Sequence, residues 1–213
     1  MKSVLIVGLG RFGQEFAKKL YEMGNDVMAI DESEERINES MPFLTNAQIG
    51  DATNEQFIAS LGVNNFDFCV VAIGDDFESS LQTTALLKDN GAQYVLARAK
   101  SAVHEKFLLR NGADSVVCTE RDMAARLATK YGSDSIFDFI QLNDDYSIYE
   151  VSVPARWVDR SMGEINARAK YGISVIAIKE NGVMAPNPGA NHVFRRGQSM
   201  LIMGRNEDVK KLL

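Results

Sequence analysis

The stretch VLIVGLGRFGQEFAKKL, from Val4 to Leu20, decides the fold of this 213-residue chain. A short apolar run leads into Gly8, Gly10 and Gly13, spaced G-x-G-x-x-G, and an amphipathic segment follows. Each glycine has its own physical reason. Gly8 suits a tight turn. Gly10, without a side chain, lets a phosphate reach backbone N–H groups at the start of a helix. Gly13 lets that helix lie close to the strand. Asp31 ends the next apolar run, close to the roughly 20 residues expected between such a loop and a ribose-binding acid. Its carboxylate can accept from ribose hydroxyls, and its charge disfavours a 2′-phosphate. Arg11, wedged inside the loop, is not needed for the turn, and as a cation it opposes the helix dipole.

Outward from this loop, strand and helix signals alternate. Residues 3–7 are continuously apolar, as in a strand buried on both faces. Phe12, Phe16, Leu20 and Met23 recur at helical spacing over 11–23. Further strands are expected at 26–30, 47–50, 67–74, 94–99 and 115–118. Helices are expected at 33–41, 54–61, 79–91 and 102–111, with Ser33 a cap and Gly91 a stop. Six strands joined by helices call for a Rossmann-like, doubly wound parallel α/β sheet. Its ligand should lie beyond the carboxyl ends of the strands, where the loop, Asp31, Gly50–Asp51 and Ile73–Gly74 all fall.

The pattern changes after about residue 119. The segments 120–132 and 133–142 read as two successive helices. SIFDFIQL, with Ile136, Phe137, Phe139, Ile140 and Leu142, reads as a connector helix within a 135–145 linker, its apolar face packing on another subunit or domain or else on its own sheet. From 146 to 213 a small α+β domain is expected: a strand at 146–153, a helix at 161–172, a hairpin turned by Asn181–Gly182, a strand at 199–204 and a terminal helix. The domains are therefore 1–134 and 146–213.

Hydrophobic residues make up 46% and charged residues 24%, a soluble globular balance with material for a sizeable core. The net charge of −6 argues against a nucleic-acid partner. No apolar run is long enough for a membrane span, and the first residues carry no signal pattern, so a cytosolic location is expected. Cys69 and Cys118 read as buried strand thiols. A NAD-dependent oxidoreductase is one reading of the loop. It would need an acid or base beside the substrate. His104 and His192 both read as surface residues without an acid at relay spacing.

The other reading comes from likeness. VLIVGLGRFG, VMAIDESEERI, GDATNEQ, FDFCVVAIGDD, NGAD, TERDMA and INARAKYGISVIAIKENG together resemble the cytosolic regulators of Ktr/Trk potassium uptake systems, the RCK (KTN) proteins. The likeness covers essentially the whole chain. It implies a regulator and not an enzyme: dimers assembling into rings, commonly octamers, under a membrane-embedded potassium transporter subunit, with ATP and ADP, or NAD(H) in some relatives, changing the ring's shape. By this resemblance Gly8, Gly10, Phe12 and Gly13 form the phosphate loop and Asp31 meets the ribose. Asp51 and Ala52 border adenine, Ile73 and Gly74 flank the phosphates, and Arg98 meets phosphate. Arg11 reaches a neighbouring subunit's terminal phosphate. The apolar SIFDFIQL segment forms part of a crossover between paired subunits. Glu120 holds a cation near the nucleotide. Asn166 and Arg168 match a second pocket that binds cyclic di-AMP in some members, although Ser161–Met162–Gly163 departs from the paired aliphatic residues expected there.

Overall fold

The computed structural model describes residues 1–213, which form two compact units, Met1–Asp122 and Met123–Leu213. In the first, strands β1 (Ser3–Val7), β2 (Asp26–Asp31), β3 (Asn46–Ile49), β4 (Phe68–Val71), β5 (Val95–Arg98) and β6 (Ser115–Val117) alternate with helices α1 (Arg11–Glu22), α2 (Glu34–Ser40), α3 (Glu55–Ser60), α4 (Phe77–Asp89) and α5 (Ala102–Arg110). All strands are parallel, in the order β3-β2-β1-β4-β5-β6. The order reverses between β1 and β4, so the crevice above their carboxyl ends is the switch point of a doubly wound sheet.

The expected architecture is therefore present, and its cause is visible in burial. Val4, Leu5, Ile6 and Val7 are covered on both faces, the even-numbered pair and the odd-numbered pair packing into two separate apolar cores. Each such side chain contributes about 1.5–3 kcal/mol of burial. Polar caps fix where helices begin: the side chains of Ser33, Asn54, Asp76 and Ser101 accept from backbone N–H groups of α2, α3, α4 and α5. Helix α1 is the exception. Its cap is Gly10, with no side-chain bond and no acid in its first turn. Helix α6 (Thr119–Tyr131) begins in this unit and ends in the next.

The second unit is an antiparallel sheet with short helices. Strands β7 (Ile136–Gln141), β8 (Tyr146–Ser152), β9 (Ser174–Glu180), β10 (Val183–Pro186) and β11 (Ser199–Arg205) lie in the order β10-β9-β11-β8-β7. Trp157, Phe194, Ile165 and Met200 fill its core. Here the expected crossover helix is corrected: residues 136–141 are strand β7, paired with β8. A register shift between Ile136 and Asp138 breaks the two-residue alternation. Ile136 and Phe139 then both pack toward the core, at a spacing that imitates a helix. The helix expected over 161–172 is also divided, into α7 (Met162–Ile165) and α8 (Ala167–Tyr171), by Asn166 at φ 49°. A Ser161–Glu164 capping box opens α7. Helix α9 (Asn206–Leu212) closes the chain. No helix is long and apolar enough to cross a membrane.

Candidate functional site

A cavity of about 750 Å³ opens above the switch point of the parallel sheet. Its first wall is the glycine loop. Gly8 sits at φ +98°, a conformation that costs glycine little, and its N–H donates to the Ile30 carbonyl. A Cβ on Gly13 would overlap the Gly8 carbonyl, so the helix can approach the strand only with glycine there. Gly10 differs, because a Cβ there would meet nothing in the protein. The space beside it belongs to the cavity. The first hydrogen bond of α1 runs from Gln14 N–H to the Gly10 carbonyl, and the N–H groups of Gly10, Arg11, Phe12 and Gly13 have no acceptor in the chain. These unpaired donors lie at the positive end of a 12-residue helix, the kind of place that favours an anion, and Gly10, Arg11 and Phe12 among them line the cavity.

Asp31 closes the next wall. It is 8% exposed and both carboxylate oxygens are engaged. Oδ2 accepts from Leu9 N–H at 2.6 Å, and Oδ1 accepts from Ser33 N–H at 2.9 Å. Arg36 lies 3.6 Å from Oδ2. Asp31 thus holds the glycine loop to β2 and retains lone pairs for a ligand hydroxyl. Asp51 accepts from the Thr53 hydroxyl and N–H, both at 2.7 Å, and these bonds hold its carboxyl below the usual range. Ala52 is buried beside it.

The far wall follows β4 and β5. Ile73 and Gly74 leave β4, and a Cβ on Gly74 would run into the Arg98 guanidinium. Arg98 is largely buried, 5.9 Å over the Phe12 ring, and donates from Nη2 to Glu120 at 2.6 Å. Its Nε is buried without a partner. Glu120 is mostly exposed and also accepts from the Thr119 hydroxyl at 2.8 Å. That bond, a backbone N–H and Arg98 together lower its carboxyl pKa. Asp75 pairs with Lys100, which lowers its pKa likewise.

Of the residues expected at the nucleotide, Gly8, Gly10, Arg11, Phe12, Asp31, Asp51, Ala52, Ile73, Gly74, Arg98 and Glu120 all line this one cavity. Gly13 sits behind the wall, in a packing position. The cavity also takes in Glu15, Glu32, Arg36, Thr53, Asp76, Ser79 and Thr119, which sequence reading missed. Arg36 had a readable signal, a cation one turn into the helix after the ribose acid. Arg11 is exposed and makes no ion pair within the chain. No cluster of three or more His, Cys, Asp or Glu gathers as for a metal ion.

Asn166 and Arg168 belong to the second unit. Asn166 is the left-handed junction of α7 and α8, and Arg168 donates to the Ser174 hydroxyl at 3.4 Å. Both cysteines are buried free thiols, as expected, and burial raises Cys69 to about 12. His104 corrects the surface expectation: it is 3% exposed, against the Phe77 ring, with Nδ1 accepting from Lys100 N–H.

Known proteins give this geometry its context. The TrkA-N domain family matches residues 4–119 and the TrkA-C domain family residues 147–213. Ktr system potassium uptake proteins A and C of Bacillus subtilis (strain 168) are 35% and 36% identical over 210 residues, each covering 99% of this chain and 95% of the relative. Among solved structures, the GsuK channel bound to NAD superposes with a TM-score of 0.69 at 17% identity. That match takes in 97% of this chain and 38% of the other, and it shows a shared fold. The Shewanella denitrificans Kef CTD in AMP-bound form has a TM-score of 0.53 at 28% identity, covering 62% of this chain and 83% of that one.

Proposed function

Because the chain belongs to the TrkA-N/TrkA-C family of Ktr system potassium uptake proteins, we propose that it is a nucleotide-sensing regulatory subunit that controls a membrane-embedded potassium transporter. The observation that carries this reading is the pairing of the unpartnered N–H groups of Gly10, Arg11 and Phe12 at α1 with the buried Asp31 carboxylate across one cavity. Phosphates would take the N–H groups and Arg98, the ribose diol would take Asp31, and adenine would lie toward Asp51, Ala52 and Thr53. AMP in the Kef relative supports an adenine nucleotide. ATP and ADP are the ligands proposed, with NAD(H) the alternative. The Ktr system relatives, matched over nearly the whole of this chain, favour the regulator over the enzyme.

Regulation would work by differential affinity, because a ligand shifts a shape equilibrium only by binding one shape more tightly. Arg11, unpaired in its own chain, would meet the terminal phosphate bound by a second copy and so distinguish ATP from ADP. Such copies would form dimers and an octameric ring, placing the protein in the cytoplasm against the inner face of the membrane through its transporter. Glu120 would join ligand phosphate in holding a cation. In the second unit, Asn166 and Arg168 would meet a phosphate-bearing second ligand, cyclic di-AMP.

Native mass spectrometry with ATP, ADP and NAD added in turn tests the reading. One adenine nucleotide per chain on a ring-sized assembly is expected. A monomer that binds none of the three, or one that turns over NAD with a small substrate, overturns it.

A further inference from the structure

We infer that Glu120 is a built-in competitor for Arg98, so that the cavity favours ligands placing a phosphate at Arg98 over those that stop short of it. The inference rests on the nucleotide reading above and adds a specificity-determining residue to it.

Three observations carry it. Arg98 is held in place from several sides. Its guanidinium lies against the backbone of Gly74, where a side chain would have to push it aside, and it lies over the Phe12 ring. It is 15% exposed, and its Nε is a buried donor without an acceptor, a costly state that a further acceptor relieves. Glu120, by contrast, is 62% exposed and sits at the start of α6. Its single bond to Arg98, at 2.6 Å, has the length of a charge-assisted contact. One partner is fixed and the other can leave. Thr119, adjacent and also lining the cavity, donates to the same carboxylate and keeps it near Arg98.

A phosphate oxygen offers Arg98 the same chemistry as the carboxylate: an anionic acceptor at the same donors. A ligand that presents one must first displace Glu120. Its apparent affinity is then reduced by the fraction of time the pair is open. A pair closed about 70–90% of the time would cost such a ligand about threefold to tenfold in affinity. A ligand that never reaches Arg98 is unaffected. Displacement also frees an acceptor site on the Glu120 carboxylate for any cation that it helps to hold.

The test is calorimetric titration of the full chain with adenosine, AMP, ADP and ATP in EDTA, which removes the cation contribution. Glu120→Gln keeps the shape of an exposed side chain and removes its charge. It should tighten ADP and ATP about threefold to tenfold and leave adenosine unchanged. In an Arg98→Ala background the same substitution should have no effect on any of the four. An equal gain in that background would show general charge repulsion and overturn competition. Unchanged or weaker ADP and ATP binding by Glu120→Gln would overturn it too, while normal binding by the unmodified chain would leave the nucleotide reading standing. Binding of no nucleotide by either protein would sink both.

Discussion

Replacing Asp31 by alanine separates two jobs that its carboxylate performs. The first is structural. Leu9 N–H is buried and donates to Oδ2, so the alanine variant leaves a buried donor without an acceptor, at about 1–3 kcal/mol. The Arg36 contact is half solvated and adds about 0–1 kcal/mol. Ser33 N–H is partly exposed and can turn to water. The ligand-free protein should therefore lose about 2 kcal/mol, seen as a melting midpoint lower by about 4–8 °C for a chain of this length. The second job is binding. Losing charge-assisted bonds to the ribose should weaken ATP, ADP and adenosine alike, about tenfold to a hundredfold. Asp31→Asn keeps one carbonyl acceptor for Leu9 but turns an amide N–H₂ toward another donor. It should recover part of the stability and little of the affinity. Differential scanning fluorimetry without ligand reads the first effect and calorimetry the second. An alanine variant that melts with the wild type would refute Asp31 as the loop's anchor, and unchanged affinity for all three ligands would remove it from the site.

Arg11→Ala should lower ATP affinity toward that for ADP, by about tenfold to a hundredfold, and leave ADP nearly untouched; equal losses would make Arg11 a general phosphate residue. The His104 pKa is depressed, by burial first and the Lys100 charge second, so the unfolded chain takes up its proton before the folded one. Its contribution to stability is complete above the ordinary value of 6.5 and is lost as pH falls from there through the folded value. Urea unfolding across that range should show a steeper loss in the wild type than in His104→Gln, and identical slopes would exclude His104. Residues 1–132 carry the whole parallel sheet, both of its cores and α6, so this fragment should fold and bind nucleotide. A folded fragment without nucleotide affinity would show that the site needs the second unit.

The parallel sheet was legible because each buried strand is an uninterrupted apolar run between polar caps, and the glycine spacing marked which strand comes first. The cavity was legible for a related reason. Its residues follow strand ends, which the topology brings together whatever the side chains do. Strand β7 was not, because its register shift puts Ile136 and Phe139 on one side, and a pattern of period two then reads as three to four. His104 was misread because burial on an outer helix depends on Phe77, distant in sequence, whose ring lies 4.8 Å away. The Arg98–Glu120 pair joins the end of β5 to the start of α6, a contact that neither local pattern contains.

The two glycines at positions 10 and 13 divide the labour of folding from that of binding. At 13 a single methyl group collides with backbone, so every chain that keeps this fold by this route must keep that residue, whether or not it retains a ligand. At 10 the same methyl group meets only open space, so nothing in the protein itself opposes it, and only a molecule seated in the cavity would. A duplicated copy that had lost its ligand could drift at 10 and still fold, but could not drift at 13. Comparing the two positions across copies would therefore separate domains that still sense a small molecule from those that survive only as scaffolding in an assembly.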